Sequence, residues 1–171
     1  MARPLKREKK DTKSMVLHAA SKLFIERGYS NTRIKDIADE ANVSYNEVFR
    51  ILEDKETILC ELVGLVLECQ FEASKIILKD VTDDKILFYA FETVLQLHIA
   101  ESIEHIREMY SVSYSLMNSS KVIYKTITSK LMDVFKDHLP HLEEKDFYEL
   151  EIASAGIMRG YIINPCTMYF T

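Results

Sequence analysis

The stretch from Thr32 to Lys55 constrains the fold of this chain more than any other part of it. Its first half predicts a short helix with one buried face, because apolar residues recur at helical spacing at Ile34, Ile37, Ala38 and Ala41. After a break, Ser44 opens a second helix in the S-x-x-E form of a capping box, in which Ser44 caps an amide and Glu47 reaches back. Two short helices joined by a tight turn predict a helix-turn-helix, a unit that holds its second helix in the major groove of DNA.

The rest of the chain predicts long helices rather than a sheet, since its 171 residues include only four Gly and three Pro. Apolar periodicity and helix-ending residues predict a linker at residues 79–83, a joint at 117–118, and helices at about residues 10–27, 55–78, 84–102, 104–110, 120–139 and 144–161. Thr32 is the predicted N-cap of the second helix. The expected fold class is all-α: a three-helix DNA-binding domain at residues 1–54, joined by a long helix to a helical body at residues 55–171.

Charge is divided unevenly along the chain. Residues 1–55 hold 12 Lys/Arg against 9 Asp/Glu, whereas residues 56–171 hold 10 against 18, which gives +3 and -8 for the two parts. A basic arm at residues 1–13 belongs to the first part and is either a solvated tail or a segment that lies along DNA. A basic N-terminal part followed by an acidic remainder indicates that only the N-terminal part binds a polyanion, unless the small excess of positive charge is a chance fluctuation.

The three cysteines, Cys60, Cys69 and Cys166, have no spacing typical of a disulfide framework or a metal site. We interpret them as buried thiols in a reducing compartment. The chain also has no secretory signal and no apolar segment of membrane-spanning length. A cytoplasmic protein with no membrane partner, cofactor or bound metal is therefore expected.

The motif residues follow one another without a gap as Leu23-Phe24, Arg27-Gly28-Tyr29, Thr32, Ile37-Ala38, Ala41, Val43-Ser44, Val48-Phe49 and Asp54-Lys55. In this order and spacing they resemble the N-terminal pattern of the TetR/AcrR family of transcriptional repressors. The resemblance covers roughly the first third of the chain. Asn42 stands where Gly is common in the family, and Asn is the non-Gly residue that best tolerates the left-handed conformation. Phe49 stands where Tyr is common, which removes a hydroxyl group, and Ile51-Leu52 replaces a polar or aromatic residue followed by Phe.

Two groups of residues are the candidates for DNA contact. Phosphate contacts position a protein on DNA and base contacts specify the sequence. The expected positioning residues are Thr32, Arg33, Tyr45 and Lys55, and the expected base-reading residues are Ser44, Asn46 and Arg50. Asn pairs well with adenine and Arg with guanine. Arg50 has the alternative role of a solvent-facing helix residue, and for Glu47 we favour the capping role over base reading.

The resemblance implies a C-terminal helical domain that dimerises and often binds a small molecule. Small residues at helical spacing, Ala153, Gly156 and Gly160, are candidates for a dimer seam, with ordinary packing within one chain as the alternative. Nine side chains are candidates to line an apolar cavity with a few polar groups, although aromatic and Met residues at helical spacing are more often plain core: Phe88, Phe91, His98, Met109, Tyr110, Tyr114, Met117, Tyr124 and Tyr148.

The expected function is a sequence-specific DNA-binding transcriptional regulator, a homodimeric repressor that a small molecule releases from a palindromic operator in double-stranded DNA. The effector would be apolar or amphipathic. An architectural DNA binder without an effector, and a helical adaptor for protein partners, are the alternatives. No nucleophile–base pair, metal signature or phosphate-binding Gly loop in the sequence supports an enzyme.

Overall fold

The computed structural model describes residues 4–164, with side chains from residue 11 onward. This part of the chain forms eight α-helices and no strand, which confirms the predicted all-α fold class. The helices are α1 (Pro4–Arg27), α2 (Ile34–Glu40), α3 (Tyr45–Leu52), α4 (Lys55–Leu78), α5 (Lys85–Ser102), α6 (Glu104–Ser115), α7 (Met117–Phe135) and α8 (Glu144–Ile163).

A first hydrophobic core joins α1, α2 and α3 to the first two turns of α4. Its best-buried members, Phe24, Ile37, Val48 and Ile58, are at most 1% exposed. Each lies at a position where helical periodicity predicts an inward side chain. Because α4 contributes to this core and then continues for several turns, it connects the N-terminal unit directly to the rest of the fold.

In the second half of the chain, α5 and α7 pack against α4, and α8 packs on α5, α6 and α7. Leu67 and Phe71 of α4 meet Ile123 of α7 in a second, smaller core. Much of the remaining interior is polar: Glu92 and Gln96 of α5 and Glu151 of α8 are all less than 9% exposed. A polar interior is held by fewer apolar contacts than an ordinary core, which leaves this half of the fold easier to rearrange.

Several predicted helix limits were wrong. The first helix begins earlier, at Pro4, and the last extends to Ile163. The helix predicted to end at Tyr110 continues to Ser115, and the joint lies at Leu116, whose φ of -90° and ψ of 132° are extended. Helix α7 ends at Phe135 rather than at residue 139, and in the turn that follows the amides of His138 and Leu139 both donate to the Phe135 carbonyl.

Within residues 4–164, no single helix combines the length and the apolar composition of a membrane span. Helices α5 and α6 pass that test only when taken together, and they are bent by 117° at their junction.

Candidate nucleic-acid interface and ligand cavity

The turn between α2 and α3 has the conformation expected from its sequence. Asn42 adopts a φ of 54°, which confirms the prediction that Asn carries the left-handed position. The Ser44 hydroxyl oxygen accepts a hydrogen bond from the Glu47 amide at 3.2 Å, so the N-cap is confirmed. The Glu47 carboxylate, predicted to reach back to Ser44, lies instead 3.8 Å from Nη2 of Arg50. This turn fixes the angle at which α3 leaves α2.

The side of α3 that faces away from the core is solvent-exposed along its whole length. Val48 and Leu52 are buried, each 1% exposed, and hold the helix against the first core. The exposed residues are Ser44, Tyr45, Asn46, Phe49 and Arg50. Four of the predicted DNA contacts therefore lie together on one surface, with Arg33 also exposed at the start of α2.

Arg50 is held only loosely. Its single described ion pair, with Glu47 one turn earlier, joins two largely exposed side chains. Such pairs contribute little to stability, so the guanidinium is free to exchange this partner for a base or a phosphate. The Asn46 side chain likewise points away from the core of the unit.

Thr32 does not have the position that a phosphate contact needs. Its side chain is 1% exposed and its hydroxyl donates to the Gly28 carbonyl at 2.8 Å, while its amide donates to the Tyr29 carbonyl. The predicted N-cap role is wrong as well, because Arg33 caps α2 and its amide donates to the Asp36 carboxylate at 2.9 Å. Thr32 therefore stabilises the loop between α1 and α2 and offers no exposed donor to DNA.

Lys55 is also committed within the protein. Its ammonium donates to the carbonyls of Tyr29 and Thr32 at 3.0 and 3.1 Å and lies 4.2 Å from the centre of the Tyr29 ring. Burial lowers the pKa of Lys55, and the carboxylate of Glu108 partly opposes this effect. The expectation that the Lys55 side chain contacts phosphate is thus replaced by a structural role: it ties the start of α4 to the loop between α1 and α2.

Sequence reasoning missed a connection between α6 and the DNA-binding unit. The Glu108 carboxylate accepts hydrogen bonds from the amides of Tyr29 and Ser30 at 3.1 and 2.9 Å, and Nδ1 of His105 lies 2.8 Å from the Ile25 carbonyl. Although burial alone would raise the pKa of Glu108, hydrogen bonds from Ser30 and from the two amides outweigh it and lower the pKa. Nothing local in the sequence marks these residues, because their partners lie 78–80 positions away.

Gly28 is required at this junction for two reasons. Its φ is 85°, and a Cβ atom at this position would lie 2.4 Å from a Glu108 carboxylate oxygen and 3.2 Å from Cδ2 of His105. The glycine therefore lets α6 approach the end of α1 closely.

Sequence reasoning also missed Lys35 and Glu53. Lys35 is exposed in the first turn of α2, beside the predicted contact Arg33. Glu53 has a φ of 54° and a ψ of -61°, and the Asp54 amide donates across it to the Leu52 carbonyl, as in a γ-turn. The polar side of the α2 pattern could have indicated Lys35, whereas no sequence signal marks a strained Glu.

A cavity of about 390 Å³ opens in the body between α4, α5 and α7. Its walls include Phe71, Phe88, Tyr89, Glu92 and Lys130, and the Lys130 ammonium lies 4.5 Å from the centre of the Phe71 ring. Glu92 is 4% exposed, and its Oε1 has no hydrogen-bond partner among the described residues. Burial raises the pKa of Glu92 to about 7, against the opposing charges of two lysines.

Only one of the nine predicted cavity residues, Phe88, lines this space. Met109 packs on the first core because it lies on the side of α6 that meets α1, and Met117 is 69% exposed at the start of α7. His98 and Tyr148 are exposed as well, and Phe91 and Tyr110 are half-buried away from the cavity.

The remaining tyrosines contact one another instead of the cavity: the Tyr124 ring lies 6.1 Å from that of Tyr114 and 6.0 Å from that of Tyr148. Helical spacing places residues on a face but cannot say which faces enclose a void.

The three candidate dimer residues, Ala153, Gly156 and Gly160, are all exposed on α8. A Cβ atom on either glycine would meet nothing within 4 Å. Beside them, Ile157 and Tyr161 are 66% and 60% exposed. This surface is therefore open to a second protein chain, whereas the alternative of packing within one chain does not hold for these three residues.

Two expectations lie outside the described residues. They concern the basic arm, of which side chains are described only from residue 11, and Cys166. Of the other two cysteines, Cys60 is half-buried and Cys69 is exposed, so the expectation that both are buried was wrong.

Comparisons with known proteins bear on the whole chain. The family model of bacterial regulatory proteins of the tetR family matches residues 16–62, whereas no curated protein matches the chain. Among solved structures, Thermus thermophilus FadR, a TetR-family transcriptional repressor in complex with lauroyl-CoA, has a TM-score of 0.67 at 15% identity, over 89% of this chain and 84% of that one. FadR of Bacillus halodurans, a fatty acid degradation regulator, has a TM-score of 0.60 at 12% identity, over 90% and 88%.

A putative TetR-family transcriptional regulator from Syntrophomonas wolfei has a TM-score of 0.59 at 20% identity, over 95% of this chain and 86% of that one. These likenesses show a shared fold across nearly all of the described helices. The family model covers the helix-turn-helix and the helices that pack on it, including the start of α4. Residues 16–62 thus match the tetR family of bacterial regulatory proteins, and the described helices share the fold of these solved structures.

Proposed function

We propose that this protein is a dimeric repressor that binds a palindromic operator through α3 and leaves it when an amphipathic small molecule enters the body. The observation that carries the proposal is the exposed surface of α3, where Ser44, Tyr45, Asn46 and Arg50 stand together on a helix whose angle is fixed by its turn. Arg33 and Lys35 extend this surface along the start of α2.

The side chains of this surface can be divided into residues suited to contact phosphates and residues suited to contact bases. Asn46 and Arg50 are one turn apart and face most directly away from Val48 and Leu52, as base-reading residues should. The hydroxyl of Tyr45 and the cations of α2 suit phosphate oxygens, and Ser44 at the start of α3 stays a candidate for base reading. One such surface offers too few contacts for specific affinity, which supports a two-fold dimer that reads two half-sites about one helical turn apart.

The exposed surface of α8 supports the dimer, and the cavity supports the effector. The cavity is largely apolar and contains Glu92, whose Oε1 has no partner among the described residues. Charged residues of both signs also line it: Lys75, Lys79, Lys85, Lys130, Asp83, Asp84 and Asp133. An amphipathic molecule fits this combination. Thermus thermophilus FadR binds lauroyl-CoA, a molecule of this kind, on the same fold at 15% identity. A repressor of this class would act in the cytoplasm, where its operator and effector are found.

The first experiment is a selection of binding sites from genomic DNA, followed by titration of the selected operator. Arg50→Ala should weaken binding about 10- to 100-fold, because one lost contact of this type contributes about 1–3 kcal/mol. Lys125→Ala on α7, an exposed cation outside the interface, is the matched control and should bind normally. Equal affinity of Arg50→Ala and wild type would remove Arg50 from the interface.

The second experiment titrates the operator complex with lauroyl-CoA, with lauric acid and free coenzyme A as comparisons. An effector must bind one state of the protein better than the other in order to shift their populations. A molecule that binds the protein and leaves operator affinity unchanged is not the effector. Salt-insensitive or absent DNA binding would instead support the adaptor function, because phosphate contacts make affinity fall steeply with salt.

A further inference from the structure

The exposed surface of α3 consists of two neighbouring strips. Asn46 and Arg50 form a polar strip, and Tyr45 and Phe49 form an aromatic strip, with the members of each strip four residues apart. The Phe49 side chain is 55% exposed and that of Tyr45 is 49% exposed. An aromatic strip thus runs beside the polar strip for the length of the helix.

Phe49 does not contribute to the core in the way its neighbours do. Val48, the residue before it, is 1% exposed and belongs to the first core, whereas Phe49 is on the flank of the helix toward solvent. A single exposed apolar residue needs no explanation by itself. This one, however, shares its surface with the residues that carry the proposed DNA contact, so its chemistry bears on what that surface recognises.

A phenyl ring can neither donate nor accept an ordinary hydrogen bond, so Phe49 cannot bind a phosphate or the polar edge of a base. The apolar group that the major groove offers is the C5-methyl group of thymine. Contact with this methyl buries apolar surface on both sides and distinguishes thymine from cytosine. The polar strip has no group that makes this distinction by apolar contact.

We propose that Phe49 is a specificity-determining residue that recognises thymine, its ring contacting the C5-methyl group of a thymine in each half-site of the operator. The thymine lies next to the base pair that Asn46 contacts, because residues 46 and 49 are neighbours on the helix surface. This inference rests on the proposed DNA-binding function of α3.

The experiment uses the full-length protein and the selected operator. Each thymine is replaced in turn by deoxyuridine, which removes the methyl group and preserves base pairing. For the wild type, one position in each half-site should lower affinity about fourfold, the effect of one buried methyl group. The same replacement should have no effect on Phe49→Ala, because that variant has no ring to contact the methyl group.

Two variants separate the methyl contact from other effects. Phe49→Tyr keeps the ring and should keep the loss of affinity caused by deoxyuridine. Tyr45→Phe should weaken binding to every operator equally, substituted or not, and should leave the effect of deoxyuridine at the thymine contacted by Phe49 unchanged. Circular dichroism checks that Phe49→Ala is folded, as expected for a side chain more than half exposed.

The outcomes of this experiment distinguish the inference from the function on which it rests. If the wild type binds the operator and no thymine is sensitive, or if Phe49→Ala keeps the same sensitivity, the inference is wrong and DNA binding stands. If no DNA is selected, the proposed function fails, and the inference fails with it.

Discussion

Gly28→Ala should destabilise the protein by about 2–4 kcal/mol. An Ala at a positive φ costs about 1–2 kcal/mol, from which the lower entropy of the unfolded chain recovers about 0.4–1 kcal/mol. The new Cβ would lie 2.4 Å from Oε2 of Glu108, so the carboxylate must move. Its movement breaks at least one hydrogen bond to the Tyr29 or Ser30 amide, and a bond to a charged group contributes about 1.5–3 kcal/mol.

The assay is urea unfolding followed by circular dichroism, at one fixed protein concentration because the proposed dimerisation would make apparent stability depend on concentration. Gly64→Ala is the matched control: Gly64 is in α4, and a Cβ there meets nothing within 4 Å. That control should stabilise the protein by about 0.5–1 kcal/mol, since Ala is the better helix former.

A double-mutant cycle with Glu108→Ala tests the cause. Without the Glu108 carboxylate, Gly28→Ala should cost only its backbone part, about 0.5–1.5 kcal/mol, so that the two sites couple by at least about 1 kcal/mol. If Gly28→Ala costs the same in both backgrounds, the contact between Gly28 and Glu108 is not the source of the destabilisation, and the junction between α1 and α6 has to be reinterpreted.

Three further predictions concern single positions. Glu53→Gly should stabilise the protein by about 0.5–1 kcal/mol in the same unfolding assay, because Gly adopts a positive φ without strain. The control Glu68→Gly, at an exposed position within α4, should cost about 1 kcal/mol. A loss of stability in both variants would argue against strain at Glu53. Burial raises the pKa of Glu92 from 4.5 to about 7, so the folded state holds this proton more tightly than the unfolded chain, and stability should fall as pH rises from 4.5 through 7. Glu92→Gln removes this loss and should be more stable than wild type at pH 8 by up to about 3 kcal/mol, with the smallest difference below pH 4.5; parallel pH profiles of unfolding would contradict it. Gly160→Leu should weaken the proposed dimer at least about tenfold by sedimentation and Gly64→Leu should not, because Gly160 lies in the proposed α8 seam, where close approach is needed, and Gly64 does not; equal effects would place the seam elsewhere.

The N-terminal unit was predictable because its signals are local. The helical spacing, the cap at Ser44 and the left-handed Asn42 each depend on a few neighbouring residues, and all three are confirmed. Thr32 shows the limit of such reasoning: a Thr before a helix is an ordinary N-cap, but here its hydroxyl binds the Gly28 carbonyl of the preceding turn. That choice is made by tertiary packing, which helical periodicity does not encode.

For residues 55–171 the helices were predicted, but the residues that line the cavity were not. Met109 and Phe88 occur in similar apolar patterns, yet one completes the first core and the other lines the cavity. Glu92 was not a candidate, because a carboxylate in the middle of a helix is usually exposed. Its burial follows from how α5 faces α4 and α7, which is set by contacts between residues far apart in the sequence.

The positions of the cavity and of Glu108 together constrain how an effector could act on α3. The cavity is lined by the C-terminal part of α4 and by α5, and α5 is followed by α6 after the single residue Ile103. Helix α4 leads directly to the first core, and α6 leads to the loop between α1 and α2 through Glu108. An effector that displaced α4 alone would have to pull the first core against the two hydrogen bonds of Glu108. The proposed release therefore requires either that α4 and α6 move together, carrying the DNA-binding unit as one body, or that the Glu108 contact breaks. Glu108→Gln weakens only the connection between α6 and the loop between α1 and α2. If release requires this contact to break, the variant should need a lower effector concentration for release. If α4 and α6 move together, that concentration should be unchanged.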